Sequence, residues 1–282
     1  MEFSVVVPFH DAECCIGRCA EALLGLDYPR DRYEVLMIDN NSSDGSAEIV
    51  KRHPGIRLLS EGKPGAYAAR NRGLREARGE VIAFTDADCV PRADWLRVVE
   101  RAMQAQTTGI LLGRRRFPGR SRMVKALEGY EAEKAAYVFS HGRRQSYFAY
   151  TNNMAVRRTL IEETGPFVET DRGGDVVFVQ RVIEQFSTDV VCFLDSMVVE
   201  HLEITSVWQW YRKMFLYGRS YMGYRRLVDA QPLSGAERWR VFRRMTGNGT
   251  TSRIDAALLM VALLGGLGAY YGGRCSVGSA HR

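Results

Sequence analysis

The 282-residue chain is 46% hydrophobic and 26% charged, which excludes a disordered or collagen-like polymer and allows a large buried core. Its formal charge of +6 is uneven: ten arginines and lysines face two carboxylates between Thr205 and Arg253, so the remainder is slightly acidic. That balance argues against a nucleic-acid partner for the main domain and suits peripheral contact of the basic tail with an anionic membrane.

Phe3–Phe9 and Glu34–Asp39 are short apolar runs followed by helical stretches beginning near Ala12 and Asp44. Ile56–Leu59 and Val81–Thr85 repeat the plan around a helical segment from Gly65 to Arg78. Strands buried on both faces and alternating with helices predict an α/β fold with a doubly wound, mainly parallel sheet, whose ligands gather at the carboxyl ends of the strands. Beyond Asp88 the spacing predicts a helix over Ala93–Ala105, a strand over Ile110–Arg115, a long helix over Ser121–Ser140, and strands over Tyr147–Val156 and Val190–Glu200. Gly113–Arg120 reads as a solvated charge run or an active-site loop. Because a core strand follows Glu2 directly, no secretory leader is expected, and a cytoplasmic location at the inner face of a membrane is. The six cysteines lack zinc-site spacing and are expected to be reduced thiols.

Two carboxylates two residues apart, Asp86 and Asp88, end the apolar run at Thr85 and cannot both continue into a core. Such hard oxygen donors suit Mg²⁺ or Mn²⁺ held together with phosphate, although Asp-x-Asp also arises in solvated turns. Asp39 ends its own strand, where a carboxylate either accepts from a base or ribose or caps the turn Asn40–Gly45. Pro64–Gly73 opens a helix with small residues and carries Arg70 and Arg72 toward the same edge, where a cation can hold phosphate or base or simply be solvated.

In order and spacing, Val6–Glu13, Asp39–Gly45, Gly65–Gly73 and Thr85–Asp88 resemble the family 2 glycosyltransferases, nucleotide-sugar-dependent enzymes of the GT-A fold. The resemblance is strong over roughly the first 95 residues and looser to about His201. It implies donor contacts from Pro8, Phe9, Glu13, Asp39, Arg70 and Asp86, and metal ligation by Asp88 and His201. Asp175, opening a helix, would be the catalytic base, with helix N-capping as the alternative, and Asn153 an acceptor-side contact. Asp11 stands where the family often has Asn, and Gly174 occupies one position of the usual acidic pair. The implied organisation is a GT-A domain over 1–204, with a nucleotide-sugar half (1–95) and an acceptor half (96–204), followed by a helical, basic and apolar region over 205–282. The implied reaction is inverting transfer of one sugar from a nucleoside diphosphate sugar, with uridine favoured as its base, to a hydroxyl acceptor that is lipid-linked or a polysaccharide precursor. The cofactor would be Mn²⁺ or Mg²⁺. A sugar nucleotidyltransferase and a non-catalytic nucleotide-sugar binding protein are the alternatives; the first ordinarily shows a Gly-rich basic loop where Pro8–Glu13 stands.

In the tail, Ser206–Arg226 interleaves aromatic and basic residues, as an interfacial helix or a helix packed on the domain would. The uncharged run Ala256–Tyr271 would be roughly 24 Å long as a helix, short of a bilayer core of about 30 Å. With Gly265, Gly266, Gly268 and Gly272 in or beside it, it is expected to form a hairpin-like membrane or interfacial segment.

Overall fold

The computed structural model describes residues 2–247 and 251–278; the tail positions 248–250 and 279–282 lie outside the described residues. The chain forms two compact units, one of residues up to Arg115 with Phe148–His201, the other of Arg116–Tyr147 with residues from Leu202 onward.

The first unit holds strands β1 (Phe3–Phe9), β2 (Tyr33–Asp39), β3 (Arg57–Ser60), β4 (Val81–Thr85), β5 (Cys89–Pro91), β6 (Ile110–Arg116, its last residue assigned to the second unit), β7 (Asn153–Arg157) and β8 (Val191–His201). Its helices are α1 (Ile16–Leu24), α2 (Ser46–Lys51), α3 (Ala66–Glu76), α4 (Trp95–Met103), α6 (Arg158–Thr164) and α7 (Gly174–Gln185). The sheet order is β3-β2-β1-β4-β7-β6-β8-β5. The expected parallel sheet is present in β3-β2-β1-β4, whereas β7 runs antiparallel to both β4 and β6, and β5 is antiparallel to β8.

All seven residues of β1 are buried, as a central strand covered on both faces requires. On one face Val5, Val7 and Met37 belong to a core with Ile16, Cys19 and Leu23 of α1 and Trp95 and Val99 of α4. Each such fully buried aliphatic side chain contributes about 1.5–3 kcal/mol. On the other face α3 lies close over β1 and β2 at Gly73, where a Cβ would sit 2.9 Å from Ile38 Cδ1 and closer still to Val6. Phe167 bridges Phe84 and Phe178 there, with ring centroids 5.3 and 5.1 Å away. The expected strand over Tyr147–Val156 begins only at Asn153, and the Gly113–Arg120 loop is strand as far as Arg116.

The second unit contains α5 (Arg122–His141), α8 (Val207–Tyr224), α9 (Gly235–Gly247) and α10 (Arg253–Gly278). A single continuous helix replaces the expected hairpin over Ala256–Tyr271. It has 26 residues and a length of about 39 Å, enough by length and composition to cross a bilayer. Gly265, Gly266 and Gly273 serve packing against α8 rather than a turn. A Cβ at Gly273 would strike the Phe215 carbonyl, one at Gly266 the Trp210 ring, and one at Gly218 on α8 the Tyr270 carbonyl. The two helices therefore approach backbone to backbone.

Candidate active site

The carboxyl ends of β1, β2 and β4 deliver the residues singled out in the sequence. Phe9 and Asp39 are register partners at the ends of β1 and β2. Pro8 and Phe9 are buried, Phe9 within the core. The following loops need a left-handed residue each, at Asp11 (φ 46°) and Asn41 (φ 64°). Asp and Asn are the non-glycine residues that tolerate this conformation, so Asp11 replaces the family's Asn at little backbone cost. The loops are stitched together. Ser43 N donates to Asp11 Oδ1 (2.8 Å), Gly45 N to Glu13 Oε2 (3.2 Å), and Ser42 N to Asp39 Oδ1 (2.9 Å). The last bond is the turn cap foreseen for Asp39, and it leaves Oδ2 outside the cap. Asn40, not singled out in the sequence, donates to the Glu61 and Lys63 carbonyls and accepts from Gly65 N, fixing the entry to α3.

Helix α3 organises the site. Tyr67, Arg70 and Asn71 are spaced i, i+3, i+4 and so share a face. The Arg70 guanidinium, 5% exposed, donates to Asp86 Oδ1 at 2.5 Å and lies 5.1 Å from the Tyr67 ring centroid. Burial opposes its charge, but Asp86, Tyr67 and Asp175 hold it protonated. Its Nε is buried with no hydrogen-bond partner among the described residues. Asn71 exchanges hydrogen bonds with Phe167 N and O and reaches Glu169 Oε1, clamping the segment that leads to α7. Arg72, off this face, pairs with Glu76 as a solvated i,i+4 pair, so only Arg70 of the two reaches the site.

Asp175 lies in the first turn of α7 and accepts from Val176 N (2.9 Å) and Thr151 N (3.3 Å). Burial pushes its carboxyl above the ordinary carboxylate range, against the lowering effects of the Tyr67 hydroxyl and the Arg70 charge. The Tyr67 hydroxyl is in turn raised by burial and by Asp175. Gly174 has a steric cause: a Cβ there would sit 2.6 Å from the Val168 carbonyl oxygen and 3.1 Å from the Tyr67 ring. A second acid at 174 does not fit beside Tyr67.

Asp86-Ala-Asp88 occupies a turn closed by Cys89 N to Asp86 O (3.0 Å) between β4 and β5. The turn of the sequence alternative is present, but its carboxylates meet cations and imidazole rather than water alone. Pairing of β5 with β8 sets Cys89 opposite His201, which brings His201 Nε2 to 3.1 Å from Asp88 Oδ2. His201 is 2% exposed, unlike a typical strand-end histidine. Donor atoms of Asp88, Cys89 and His201 lie within 4.8 Å of one another. Burial and the Asp88 carboxylate push the Cys89 thiol well up, which keeps it a weak ligand. A hard carboxylate beside an imidazole, with Asp88 partly open to solvent, fits a divalent cation that draws its other ligands from a substrate, and fits Mn²⁺ better than Mg²⁺. Asn153 does not join this group. It is fully buried, accepts from Trp95 Nε1 (2.9 Å) and donates to the Arg114 and Met197 carbonyls (both 2.9 Å), so its amide braces the sheet against α4 instead of facing a ligand.

Comparison with known proteins gives the same outline. The chain is 32% identical to the glycosyltransferase AglE of Haloferax volcanii over 205 residues, 67% of this chain and 65% of that protein. It is 26% identical to the beta-monoglucosyldiacylglycerol synthase of Trichormus variabilis over 238 residues, 80% of this chain and 50% of that one. The matches thus span between half and two thirds of these relatives. Among solved structures, the mannosyltransferase PcManGT of Pyrobaculum calidifontis, in complex with GDP-Man and Mn²⁺, superposes with a TM-score of 0.62 at 21% identity, covering 97% of this chain and 82% of that one. S. aureus TarS 1-349 with UDP-GlcNAc superposes at 0.56 and 18% identity, covering 96% and 82%. These likenesses establish the GT-A fold. The sequence profile described as Glycosyl transferase family 2 matches residues 4–165, more than half of the chain, and with the strand-end carboxylates in their expected order the chain belongs to glycosyl transferase family 2.

Proposed function

We propose that the protein transfers a single sugar, with inversion, from a nucleoside diphosphate sugar to a hydroxyl acceptor that is lipid-linked or a polysaccharide precursor. The observation that carries this reading is the pairing of Asp88 with His201, two residues along the turn after β4 from Asp86, a member of the Arg70–Asp86–Asp175 cluster. In this reading Pro8, Phe9, Glu13 and Asp39 form the base and ribose side of the donor site, and Asp86 keeps Arg70 oriented as the cation nearest the diphosphate. Asp88 and His201 would hold Mn²⁺ or Mg²⁺, which when bound supplies Lewis-acid stabilisation of the diphosphate leaving group. Asp175 takes the proton of the acceptor hydroxyl as that oxygen attacks the anomeric carbon from the face opposite the leaving diphosphate. A buried carboxylate with a raised pKa is a stronger base than a solvated one, which suits this task. Complexes of similar folds with UDP-GlcNAc and with UDP-Glc and Mn²⁺ support a uridine donor, with the GDP-Man of PcManGT as the alternative. Lipid acceptors are supported by the named activity of the diacylglycerol-sugar synthase. Residues 1–204 as catalytic region, of which Arg116–Tyr147 and 202–204 cluster with the second unit, and a cytoplasmic, membrane-proximal position belong to the same proposal.

The test is the anomeric configuration of the product. With an α-linked UDP-sugar and a simple alkyl or lipid alcohol, NMR should show a β-linked product with one sugar per acceptor. An α-linked product would remove Asp175 from its proposed role, and release of pyrophosphate from a nucleoside triphosphate would replace transfer by nucleotidyl chemistry.

A further inference from the structure

The second unit carries an open cavity of about 610 Å³ between α8, the 225–234 connection, α9 and α10. Four arginines line it, Arg143, Arg225, Arg238 and Arg274, against one carboxylate, Asp229. Arg143 is neutralised by Glu237 through two 3.0 Å contacts. The other three form no ion pair among the described residues. Arg238 donates Nε to the Leu233 carbonyl (3.0 Å), while Arg225 and Arg274 both stack near the Tyr221 ring, 5.7 and 4.8 Å from its centroid. Two cations at one ring, Arg225 and Arg274, neither in an ion pair with the single lining carboxylate Asp229, repel each other until an anion enters, and guanidinium forks match phosphate oxygens.

The apolar part of the surroundings limits what that anion is attached to. On α10, Ile254, Leu258, Val261, Leu264 and Tyr271 recur at helical spacing on one face and are 48–70% exposed. This stripe ends at the cavity, where Tyr271 is a wall, and Arg274 follows one turn later. An exposed apolar stripe terminating in a cavity with an excess of arginine over carboxylate has the polarity of a phospholipid, with chains along the stripe and phosphate at its end.

We propose that this cavity binds the phosphate group of an anionic membrane lipid, at a site belonging wholly to the second unit and separate from the donor residues. Free phosphate and lipid phosphate share the recognising chemistry, and the α10 stripe favours the lipid.

Full-length protein would be floated with phosphatidylcholine vesicles with and without phosphatidylglycerol, for wild type, Arg225→Gln/Arg274→Gln, and Arg240→Gln/Arg243→Gln. The last pair carries the same charge change on exposed α9 positions outside the cavity. Circular dichroism melts establish that each variant is folded. Phosphatidylglycerol-dependent binding should fall at least about tenfold for the cavity pair and less than about threefold for the α9 pair. Equal losses in the two pairs would reduce the effect to general surface charge and overturn the site. Retained binding in the cavity pair overturns it outright. In a parallel arm, inorganic pyrophosphate should compete with the vesicles; pyrophosphate binding without any vesicle binding would overturn the lipid source.

Discussion

Asp175→Asn separates a catalytic carboxylate from a structural cap. Asp175 is buried, and its pKa is raised above the ordinary value by that burial. A carboxyl whose folded pKa exceeds its unfolded value favours the fold while protonated, and that contribution fades as pH rises from about 3.9 through the folded pKa. At neutral pH the ionised carboxylate is therefore a cost, and the amide, which can still accept from Val176 N and Thr151 N, removes it. The variant should melt at or above the wild-type temperature at pH 7–8, with the difference shrinking toward pH 4. Transfer should fall by about 10²–10⁴-fold, the usual worth of a general base and equivalent to about 3–5 kcal/mol of activation free energy. Differential scanning fluorimetry across pH, paired with a sugar-transfer assay, reads both. Lower stability at every pH with activity lost in proportion would mean that Asp175 is a helix cap; full activity would remove it from the chemistry.

Arg70→Met should destabilise by about 3 kcal/mol, because it strands a buried carboxylate that had a cation nearby, and should shift the acid limb of kcat/KM to higher pH; unchanged limbs would disconnect Arg70 from Asp175. Gly218→Ala should cost about 1–3 kcal/mol by forcing α8 off the Tyr270 carbonyl, whereas Gly268→Ala, with open space around it, should be neutral or slightly stabilising in the same thermal melts. The Arg143 hydrogen bonds hold the Glu237 carboxyl down at about 2, so this pair stabilises the fold fully above about 4.5 and loses its effect as pH falls toward 2; Glu237→Gln should lower the melting temperature at pH 7 and flatten that acid decline.

Three of the first four strands were legible because Val5–Val7, Val35–Ile38 and Val81–Phe84 are apolar runs, the last two leading to a carboxylate, and a parallel sheet buries such runs on both faces; β3, half-buried with Arg57 paired to Glu34, was legible only from the alternation with helices. Asp88 and Asp39 could be located by the same rule. The partnership of Asp88 with His201 could not, because it depends on a three-residue strand, β5, too short to leave a periodic signal. Tyr67 and Asn71 lie at helical spacing from Arg70, so the face the three form is readable in the sequence, although neither residue carries a charge to mark it. Asn153 misled because an asparagine at a strand end looks available until its three hydrogen-bonding partners are known. Gly265 and Gly266 misled in the opposite direction: read as breakers, they are contact points for Tyr211 and Trp210 of α8, whereas Gly268 has open space around it.

The central claim is donor binding through a metal held by Asp88. Calorimetric titration of the full chain with UDP-, GDP-, CDP- and dTDP-sugars, in Mn²⁺ and in chelator, should give one donor whose binding needs the metal and weakens at least about tenfold in Asp88→Ala. Donor binding that is indifferent to both chelator and Asp88→Ala, or no binding of any donor, would contradict it.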